Sequence, residues 1–448
     1  MSAQSAEGRE GGLDAPTRNP IEWKSTFFYD ETKLFDELCR VFDLCHGCRR
    51  CFNLCRAFPI LFDLVDESET YEVDGVNKKD YWKVINNCYL CDMCYIASCP
   101  YVPPHEWNID FPMLMLRAKA FKYKSKGAIF RDNLLSKPEL LGKINANPFA
   151  APIVNFLNQL GFTRGLLELF LGISKKAPVP QFQKLSLRSR LNRRGLKDII
   201  PTPAGETKGK VALFTTCYGQ YNHPSLGDDL VAVFEHNEIS VTLVPNERCC
   251  GMPRFELGDI SSVDQSITEN APQLASMVDD GYDIVIPMPS CAFMQKHLWP
   301  LIRPEDENVK KVSAASYDPF EYLMARHAAG KLKTDFKSGP GHVAYHAACH
   351  IRAQNMGLKT KEALSLLPDV KLEVLDRCSG HDGTYAVKEE FRDFSENICR
   401  PVSNKLEKSG SSILASDCPM AAANVKSLDS GEAVSKHPLT ILREAYGV

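Results

Sequence analysis

Short apolar runs alternate with longer amphipathic segments along the second half of the chain, from about residue 211 onwards. This alternation is typical of βα units, in which helices cover a mostly parallel sheet. Six runs have the length and apolar content of buried strands. They are VALFTTC (211–217), ISVTLVP (239–245), DIVIPMPSC (283–291), HVAYHAAC (342–349), KLEVLDRC (371–378) and SSILASDC (411–418). The pattern therefore predicts an α/β fold with parallel strands.

The six runs form two groups of three, and this indicates an internal duplication. A cysteine lies at or shortly after the end of every run, and a glycine follows the middle cysteines, in CCG at 249–251 and CSG at 378–380. Ligands of open α/β sheets bind beyond the carboxyl ends of the strands. We therefore expect each group to bring its cysteines together at one edge of its sheet.

The rest of the chain differs in pattern from this duplicated half. Residues 1–25 are small or charged and are typical of a flexible tail. Residues 26–110 are dense in cysteine and are expected to form a domain of their own, whereas 111–205 predict a helical connecting segment that ends in a linker. Two duplicated α/β domains are expected at 206–335 and 336–448.

The composition narrows the class of protein. The chain has 448 residues, 44% hydrophobic and 24% charged, as in ordinary globular proteins, and its net charge of −3 argues against nucleic-acid binding. Its 17 cysteines fit either a disulfide scaffold or a metal protein. We find neither the apolar run of a signal peptide nor a stretch of about 18 apolar residues that would span a membrane. A cytoplasmic protein is expected, with thiols that stay reduced unless a metal binds them.

The cysteine-dense domain contains two motifs with the spacing of two-cluster ferredoxins. Each is a C-x2-C-x2-C triplet followed, after three or four residues, by a single cysteine. In such proteins the single cysteine of each run binds the other cluster. The spacing therefore assigns one [4Fe–4S] cluster to Cys45, Cys48, Cys51 and Cys99. It assigns a second to Cys88, Cys91, Cys94 and Cys55.

Structural zinc and unligated thiols are the alternatives for these motifs, but zinc usually takes two C-x2-C units rather than two triplets with single cysteines. Two further cysteines lie outside every motif. Cys39 precedes the first motif, and Cys399 lies in the amphipathic stretch EEFRDFSENICR. Both are expected to pack as small buried hydrophobic residues.

Several stretches of the duplicated half are similar to a known family. They are CYGQYNHPSLGDDL (217–230), RCCGMPRFELG (248–258), VAYHAACHIRAQNMG (343–357), RCSGHDGTYAVKEEF (377–391) and SDCPMAAANVKS (416–427). Together with the N-terminal motifs, residues 30–448 resemble the CCG-domain iron–sulfur proteins. This family includes the catalytic subunit of heterodisulfide reductase and the C subunit of anaerobic glycerol-3-phosphate dehydrogenase. The resemblance implies a mostly helical ferredoxin-type domain with two [4Fe–4S] clusters, followed by two parallel α/β CCG domains.

The resemblance also implies one cysteine site in each CCG domain. By position, site A comprises Cys217, Cys249, Cys250 and Cys291. Met294 replaces its last family cysteine, and the four remaining thiolates are enough for one cubane [4Fe–4S] cluster. Site B comprises Cys349, Cys378 and Cys418. Because Ser379 and Ala421 replace two family cysteines there, one further iron–sulfur cluster is expected in the CCG region, with iron bound through these cysteines.

Site B has several interpretations. Its thiols could hold a cluster with an open or non-cysteine corner, and nearby residues offer nitrogen or oxygen ligands. These are His346, His350, His381 and Asp382. A histidine in such a place is more often a hydrogen-bonded strand-end residue than a ligand. The other alternative is that site B binds no metal and that its cysteines are buried or form a redox pair.

Residues 149–173 (FAAPIVNFLNQLGFTRGLLELFLGI) carry few charges and predict an apolar helix. At helical spacing one face comprises Ile153, Phe156, Leu157, Leu160, Leu167 and Leu171. Such a helix either lies in a membrane interface or packs against the α/β domain, and packing is the commoner use. The resemblance favours the interface, because the related dehydrogenase subunit is membrane-associated. A peripheral location on the cytoplasmic face of the inner membrane is thus an alternative to a purely cytoplasmic one.

No G-x-G-x-x-G follows a predicted strand and no P-loop is present, so no flavin, nicotinamide or ATP site is evident. By resemblance we expect an electron-transfer subunit of an anaerobic-type dehydrogenase, which relays electrons between a flavoprotein or other redox partner and a quinone or other acceptor. One alternative is a catalytic reductase of a disulfide or peroxide-type substrate, since an open metal position suits catalysis. Another is a redox-sensing iron–sulfur interaction protein. No catalytic residue is assigned.

Overall fold

A computed structural model describes residues 15–448 of the chain. The chain divides into two compact units, the first up to Lys126 and the second from Gly127 to Val448. Residues 1–14 of the predicted tail lie outside the described residues. Within the described part, no helix combines the length and the apolar character needed to cross a membrane.

The first unit is helical. Its helices are α1 (Glu31–Cys48), α2 (Ala57–Asp66), α3 (Tyr81–Asn86), α4 (Met93–Ala97) and α5 (Phe111–Lys126). Asp30 caps α1, because its side chain accepts a hydrogen bond of 2.9 Å from the Lys33 amide. The helix ends at Cys48, and the next residue, Arg49, turns the chain with a positive φ of 51°. The first cysteine motif is thus divided between the last turns of α1 and the loop that follows.

An arginine near the start of the described chain contacts the loop of the second motif. Arg18 forms ion pairs with Asp92 at 2.5 Å and with Asp110 at 2.7 Å, and its guanidinium lies 4.1 Å from the centre of the Tyr95 ring. Asp92 follows Cys91 and has a positive φ of 62°. These contacts hold the second cysteine motif against the start of α5.

The second unit begins with helices and continues with two α/β halves. The first helices are α6 (Phe130–Leu135), α7 (Pro138–Asn145), α8 (Ala150–Gln159), α9 (Gly161–Leu171) and α10 (Leu187–Arg194).

Two α/β halves follow these helices. The elements of the first half are, in chain order, β1 (Lys210–Leu213), α11 (Cys217–Tyr221), α12 (Pro224–His236), β2 (Ser240–Leu243), α13 (Met252–Leu257), α14 (Ile260–Asp279), β3 (Asp283–Val285), α15 (Pro289–Phe293), a π-helical turn (Met294–Leu298), α16 (Trp299–Ile302), α17 (Glu307–Ala314), β4 (Ser316–Tyr317) and α18 (Pro319–Ala328). The second half comprises β5 (His342–His346), α19 (Cys349–Ala353), α20 (Lys359–Leu364), β6 (Lys371–Leu375), α21 (Glu389–Ser409), β7 (Ile413–Ser416), α22 (Pro419–Lys426), β8 (Val434–Lys436) and α23 (Pro438–Tyr446).

Each half contains a four-stranded parallel sheet, in the order β2-β1-β3-β4 in the first half and β6-β5-β7-β8 in the second. The strand order is the same in both, and this confirms the predicted duplication and the parallel α/β fold. Each first strand is central, as shown by Val211, which pairs with Val241 and with Asp283. All six predicted runs contain a strand. The edge strands β4 and β8 have two and three residues and contain no apolar run, so the hydrophobic pattern does not indicate them.

One hydrophobic core extends through both halves of the second unit. It includes Val211 from the first sheet, Tyr345 from the second and Leu442 from α23. The last helix also packs against α12, where Arg443 pairs with Asp229 at 2.6 Å. Because the halves share this core, the edges of the two sheets have fixed positions within the unit.

Helices α8 and α9 pack against each other as a hairpin. The hairpin replaces the single helix predicted over 149–173, because Leu160 is extended, with φ −80° and ψ 124°. Its large apolar side chains are exposed to solvent: Phe149, Ile153, Phe156, Leu157, Leu160, Phe162, Leu166, Leu169 and Phe170. The alternative in which the apolar face predicted from the sequence packs against the α/β domain is therefore wrong for Ile153, Phe156, Leu157 and Leu160. Leu167 and Leu171 are half-buried.

Candidate metal centres

The cysteines of site A lie in the segments that directly follow three parallel strands. Cys217 begins α11 after β1, Cys249 and Cys250 lie in the loop after β2, and Cys291 lies in α15 after β3. Parallel strands end at the same edge of a sheet. The structure thus brings together the four residues that the sequence assigns to site A.

The sulfur atoms of site A form a continuous series of contacts. The Cys249 thiol hydrogen-bonds to those of Cys217 and Cys250, and the Cys250 sulfur donates to the Cys291 sulfur at 3.2 Å. Hydrogen bonds from Cys217 and Cys250 lower the pKa of Cys249 well below its ordinary value, although burial opposes this shift. Hydrogen bonding to Cys249 and burial raise the pKa of Cys217. These hydrogen bonds therefore favour the thiolate form of Cys249, the central sulfur.

Glu139 from α7 also belongs to site A, although no sequence motif indicates it. Its carboxylate accepts a hydrogen bond of 2.9 Å from the Cys249 amide and one of 3.2 Å from the guanidinium of Arg248. It also pairs with Lys143 on its own helix. Since α7 lies about a hundred residues before Cys249, spacing alone gives no signal for this contact.

A cleft beside site A is lined mainly by polar residues. Cys217, Cys249, Arg188 and Tyr221 lie along it, together with Glu247. Burial raises the pKa of Glu247 to about 7. Hydrogen bonds from the amide and hydroxyl of Thr215 act in the opposite direction, but their effect on the pKa is smaller. This opening gives molecules in solution access to two of the four thiols.

Site B lies at the equivalent edge of the second sheet, but its side chains form a different group. One carboxylate oxygen of Asp382 and the sulfur atoms of Cys349 and Cys378 all lie within 4.8 Å of one another. The group, as the structure describes it, includes neither a histidine nor Cys418. The Cys418 sulfur interacts electrostatically with Cys291 of site A, and burial is the main cause that raises its pKa to about 11. Only two of the three predicted site B thiols therefore converge.

Two of the three histidines near site B have structural contacts. His346 ends β5, and its two ring nitrogens hydrogen-bond to the Ser416 hydroxyl and the Arg377 carbonyl, each at 3.1 Å. The ring of His350 stacks on Phe293, with 5.2 Å between the ring centres. His346 is thus the hydrogen-bonded strand-end residue that the sequence favours over a ligand.

The N-terminal cysteines form two groups within the first unit. Burial, followed by repulsion from Cys99, Cys51 and Cys48, raises the pKa of Cys45. The same four residues line one cavity, together with several aromatic side chains. These neighbours agree with the ligand set that spacing assigns to the first cluster, which stays a prediction.

In the second group, burial and then repulsion from Cys88 and Cys91 raise the pKa of Cys55. Cys94 interacts with Cys88, Cys91 and Cys55, and also with Cys51 of the first group. The two groups are therefore neighbours, and each has one cysteine contributed by the other motif.

The two surplus cysteines lie outside these groups. Cys399 is fully buried in α21, in a hydrophobic cluster with Leu375 and Val425. Cys39 is half-buried and hydrogen-bonds to Tyr81. The core position expected for Cys399 is confirmed.

Comparison with known proteins identifies the duplicated region. Residues 211–296 and 343–426 each match the family CCG, the cysteine-rich domain. The chain therefore contains two copies of this domain, and the resemblance stated from the sequence is confirmed. Both matched segments include the strand ends at which the structure places sites A and B.

Several curated proteins are similar to a large part of the chain. The C subunit of anaerobic glycerol-3-phosphate dehydrogenase from Escherichia coli K12 is 29% identical over 336 residues, 74% of this chain and 81% of that protein. The B subunit of fumarate reductase (CoM/CoB) from Methanothermobacter marburgensis is 25% identical over 80% of this chain and 72% of its own length. Lactate utilization protein A of Shouchella clausii is 27% identical over 217 residues, 46% of this chain and 87% of that protein. These relationships agree with the iron–sulfur, electron-transport and oxidoreductase character expected from the sequence.

Proposed function

Since the chain contains two CCG cysteine-rich domains and is homologous to subunits of a dehydrogenase and of a reductase, we propose that it is an iron–sulfur electron-transfer subunit. It relays electrons between a flavoprotein dehydrogenase and a quinone or other acceptor. The observation that carries this proposal is the convergence of four thiols at site A, beside a cleft open to solution.

The donor set of site A suits a [4Fe–4S] cluster. Cys217, Cys249, Cys250 and Cys291 would bind it, and a cluster of this type supplies one-electron transfer. The protein contributes the surroundings of the sulfurs. The Trp299 indole donates a hydrogen bond of 3.0 Å to the Cys250 carbonyl, and Gly251 has a positive φ of 99°. Together they fix the turn that presents the two adjacent cysteines.

The two N-terminal groups would hold the remaining clusters of the relay. Their sulfurs are partly or fully shielded from water, and Cys94 interacts with cysteines of both groups. Short separations between centres favour rapid electron transfer, and shielding limits the loss of iron. We infer that these two [4Fe–4S] clusters carry electrons within the first unit.

The hairpin α8–α9 supports attachment to a membrane surface as part of the same function. Phe149, Phe162, Leu169 and Phe170 each expose 75% or more of their surface, whereas the charged Arg164 is buried and bonded to the carbonyls of Ser174 and Ala177. Exposed lysines follow the end of α9. An apolar face with basic residues beside it suits the interface of an anionic membrane. Such attachment would bring the protein to lipid-soluble quinone.

Iron counting on protein purified without oxygen tests the proposal. We expect about twelve irons per chain, and the double variant C249S/C250S should lose about four of them together with one paramagnetic resonance signal. C399S is the matched control, because it removes a buried thiol outside the groups and should keep all the iron. Unchanged iron in C249S/C250S would refute the assignment of site A.

Turnover experiments separate a relay from the reductase alternative. A relay passes electrons from a reduced partner to a quinone analogue but reduces no disulfide or peroxide by itself. Sustained reduction of such a substrate by the isolated chain, supplied only with a chemical reductant, would favour the catalytic alternative. A cluster that is lost and regained reversibly, without electron flux, would favour the sensing alternative.

A further inference from the structure

Site B lacks the residues of a complete cluster site. Ser379 and Ala421 stand where the family motif has cysteine, and the Ala421 side chain has no atom that could bind a metal. The carbonyl oxygen of Ser379 already accepts a hydrogen bond of 2.7 Å from the Asn424 side chain. The ligand set of the family cluster therefore does not fit the second CCG domain of this chain.

The side chains that do converge at site B have the spacing of ligands around one metal ion. Cys378 and Asp382 are 3.4 Å apart, measured between Sγ and Oδ2, and Cys349 completes a group within 4.8 Å. Around a tetrahedral zinc ion, sulfur and oxygen ligands lie about 3.5–3.8 Å from one another, given metal–ligand bonds of about 2.0–2.3 Å. The three side chains are thus close enough to bind one ion together.

We propose that Cys349, Cys378 and Asp382 bind a single divalent metal ion, with Zn²⁺ the best match, and leave its fourth position open. Two sulfurs and one carboxylate are ligands that zinc takes readily, and three protein ligands with one open position are typical of reactive zinc sites. All three side chains are half-buried, so a water molecule or a small ligand can reach the fourth position. Since zinc does not change its oxidation state, site B takes no part in the electron relay.

The loop between the two ligands is held in the shape that this site needs. The Gly380 amide donates a hydrogen bond of 3.2 Å to the Cys378 sulfur, and such bonds stabilise a metal-bound thiolate. Gly380 has a φ of 68°, and a Cβ there would lie 2.3 Å from the Ser395 carbonyl oxygen. The Ser395 hydroxyl in turn donates to the Gly380 carbonyl at 2.7 Å. Glycine is therefore required at this position.

The conformation of Asp382 supports the same interpretation. Its φ of 35° lies in the left-handed region, which costs energy for a residue other than glycine. The Tyr385 amide donates a hydrogen bond of 2.9 Å to the Asp382 carbonyl and closes the turn. The strained turn brings the carboxylate close to the Cys378 sulfur, where a bound metal ion would offset the strain.

Metal analysis of the full chain, purified without oxygen, tests the proposal. We expect about one zinc per chain in the natural protein. D382N, which keeps the size of the side chain, and C378S should lose the zinc and retain all the iron. C399S and C418S are the controls and should keep both metals. Because the iron count reports on the proposed clusters and the zinc count on site B, failure of one proposal is distinguishable from failure of the other.

Cobalt binding provides a second readout that does not depend on electron transfer. Co²⁺ added to zinc-depleted protein should give the thiolate charge-transfer bands of a tetrahedral site, and D382N should bind it at least about tenfold more weakly. A natural protein that binds neither zinc nor cobalt at this site would overturn the proposal. So would a loss of about four irons in C378S and C418S alike, because this result would show a cluster at site B.

Discussion

The backbone amide of Cys249 donates a hydrogen bond of 2.9 Å to the carboxylate of Glu139, a residue 110 positions earlier in the chain. The bond joins the site A loop to the first turn of α7. Burial disfavours the charge of Glu139, but hydrogen bonds from Lys143, from Cys249 and from Arg248 prevail and lower its pKa. A negative charge therefore lies beside the thiols of site A at neutral pH.

Replacing Glu139 by glutamine should make the site A cluster easier to reduce. The E139Q variant keeps an oxygen that accepts the Cys249 hydrogen bond but removes the negative charge, which opposes the addition of an electron. We expect the reduction free energy to become more favourable by about 1 kcal/mol, a value suited to charges that are partly screened by water. Redox titration followed by electron paramagnetic resonance measures this shift.

The matched control for this shift is E269Q. Glu269 pairs with the same Arg248 at 2.8 Å but does not bond to the Cys249 amide. The potential of site A should change less in E269Q than in E139Q. Equal shifts in both variants would show that Arg248, rather than the carboxylate on the cysteine loop, determines the potential.

Double substitutions test the exchange of cysteines between the two N-terminal motifs. C48S and C99S should each lose about four irons, and the double variant C48S/C99S should lose no more, because both residues serve one cluster. C48S/C55S should lose about eight, because Cys55 serves the other cluster. Iron counting and the amplitude of the resonance signals measure these losses. If C48S/C99S lost both clusters and C48S/C55S only one, Cys55 and Cys99 would each serve their own motif.

The sequence predicts the sheets and the cysteine positions better than the surroundings of the sites. Buried parallel strands such as β1 and β3 consist of continuous apolar runs, and their ends define where the cysteines meet. Glu139 reaches Cys249 only through tertiary packing, so no local pattern indicates it. Asp382 is different, because it lies four residues after Cys378 and could be recognised from sequence as a candidate ligand.

The hairpin shows a second limit of prediction from sequence. An apolar helix face has the same pattern whether it meets a protein core or a lipid surface. The structure leaves Ile153 and Phe156 exposed and turns the buried Arg164 toward main-chain carbonyls. The burial of each side chain, rather than their spacing, distinguishes the two cases.

Charged substitutions on the hairpin should abolish binding to anionic vesicles. Phe162 and Phe170 are 76% and 75% exposed, so F162D/F170D removes apolar surface from the membrane contact without disturbing the core. Burial of a phenylalanine contributes about 1.5–3 kcal/mol, and the loss of two should weaken binding at least about a hundredfold. Sedimentation with vesicles that contain phosphatidylglycerol measures the bound fraction.

I200D is the control for the vesicle experiment, because Ile200 is 89% exposed and lies outside the hairpin. It adds the same kind of charge to the second unit, and its vesicle binding should be close to that of the natural protein. Natural protein that stays in the supernatant, or an I200D variant as defective as F162D/F170D, would refute membrane binding by the hairpin.

His437 should make the protein less stable as the pH falls below neutrality. Burial, with a smaller contribution from His223, lowers its pKa to about 3, whereas in an unfolded chain the value is about 6.5. The neutral ring accepts a hydrogen bond of 3.1 Å from the Leu439 amide and donates one of 3.2 Å to the Asp417 carbonyl. Because the folded-state pKa is lowered, the stabilisation is complete above about pH 6.5 and is lost as the pH falls toward 3.

The H437N variant isolates this contribution. Asparagine keeps an acceptor for the Leu439 amide but does not titrate, so the variant should be less stable than the natural protein at pH 8. By pH 5 the difference in unfolding free energy should have shrunk by about 2 kcal/mol, because only the natural protein loses the histidine contribution. Urea unfolding at several pH values measures both proteins, and effects of pH on other groups cancel in the comparison. A difference that stays constant from pH 8 to pH 5 would show that the His437 ring is protonated as readily in the folded protein as in the unfolded chain.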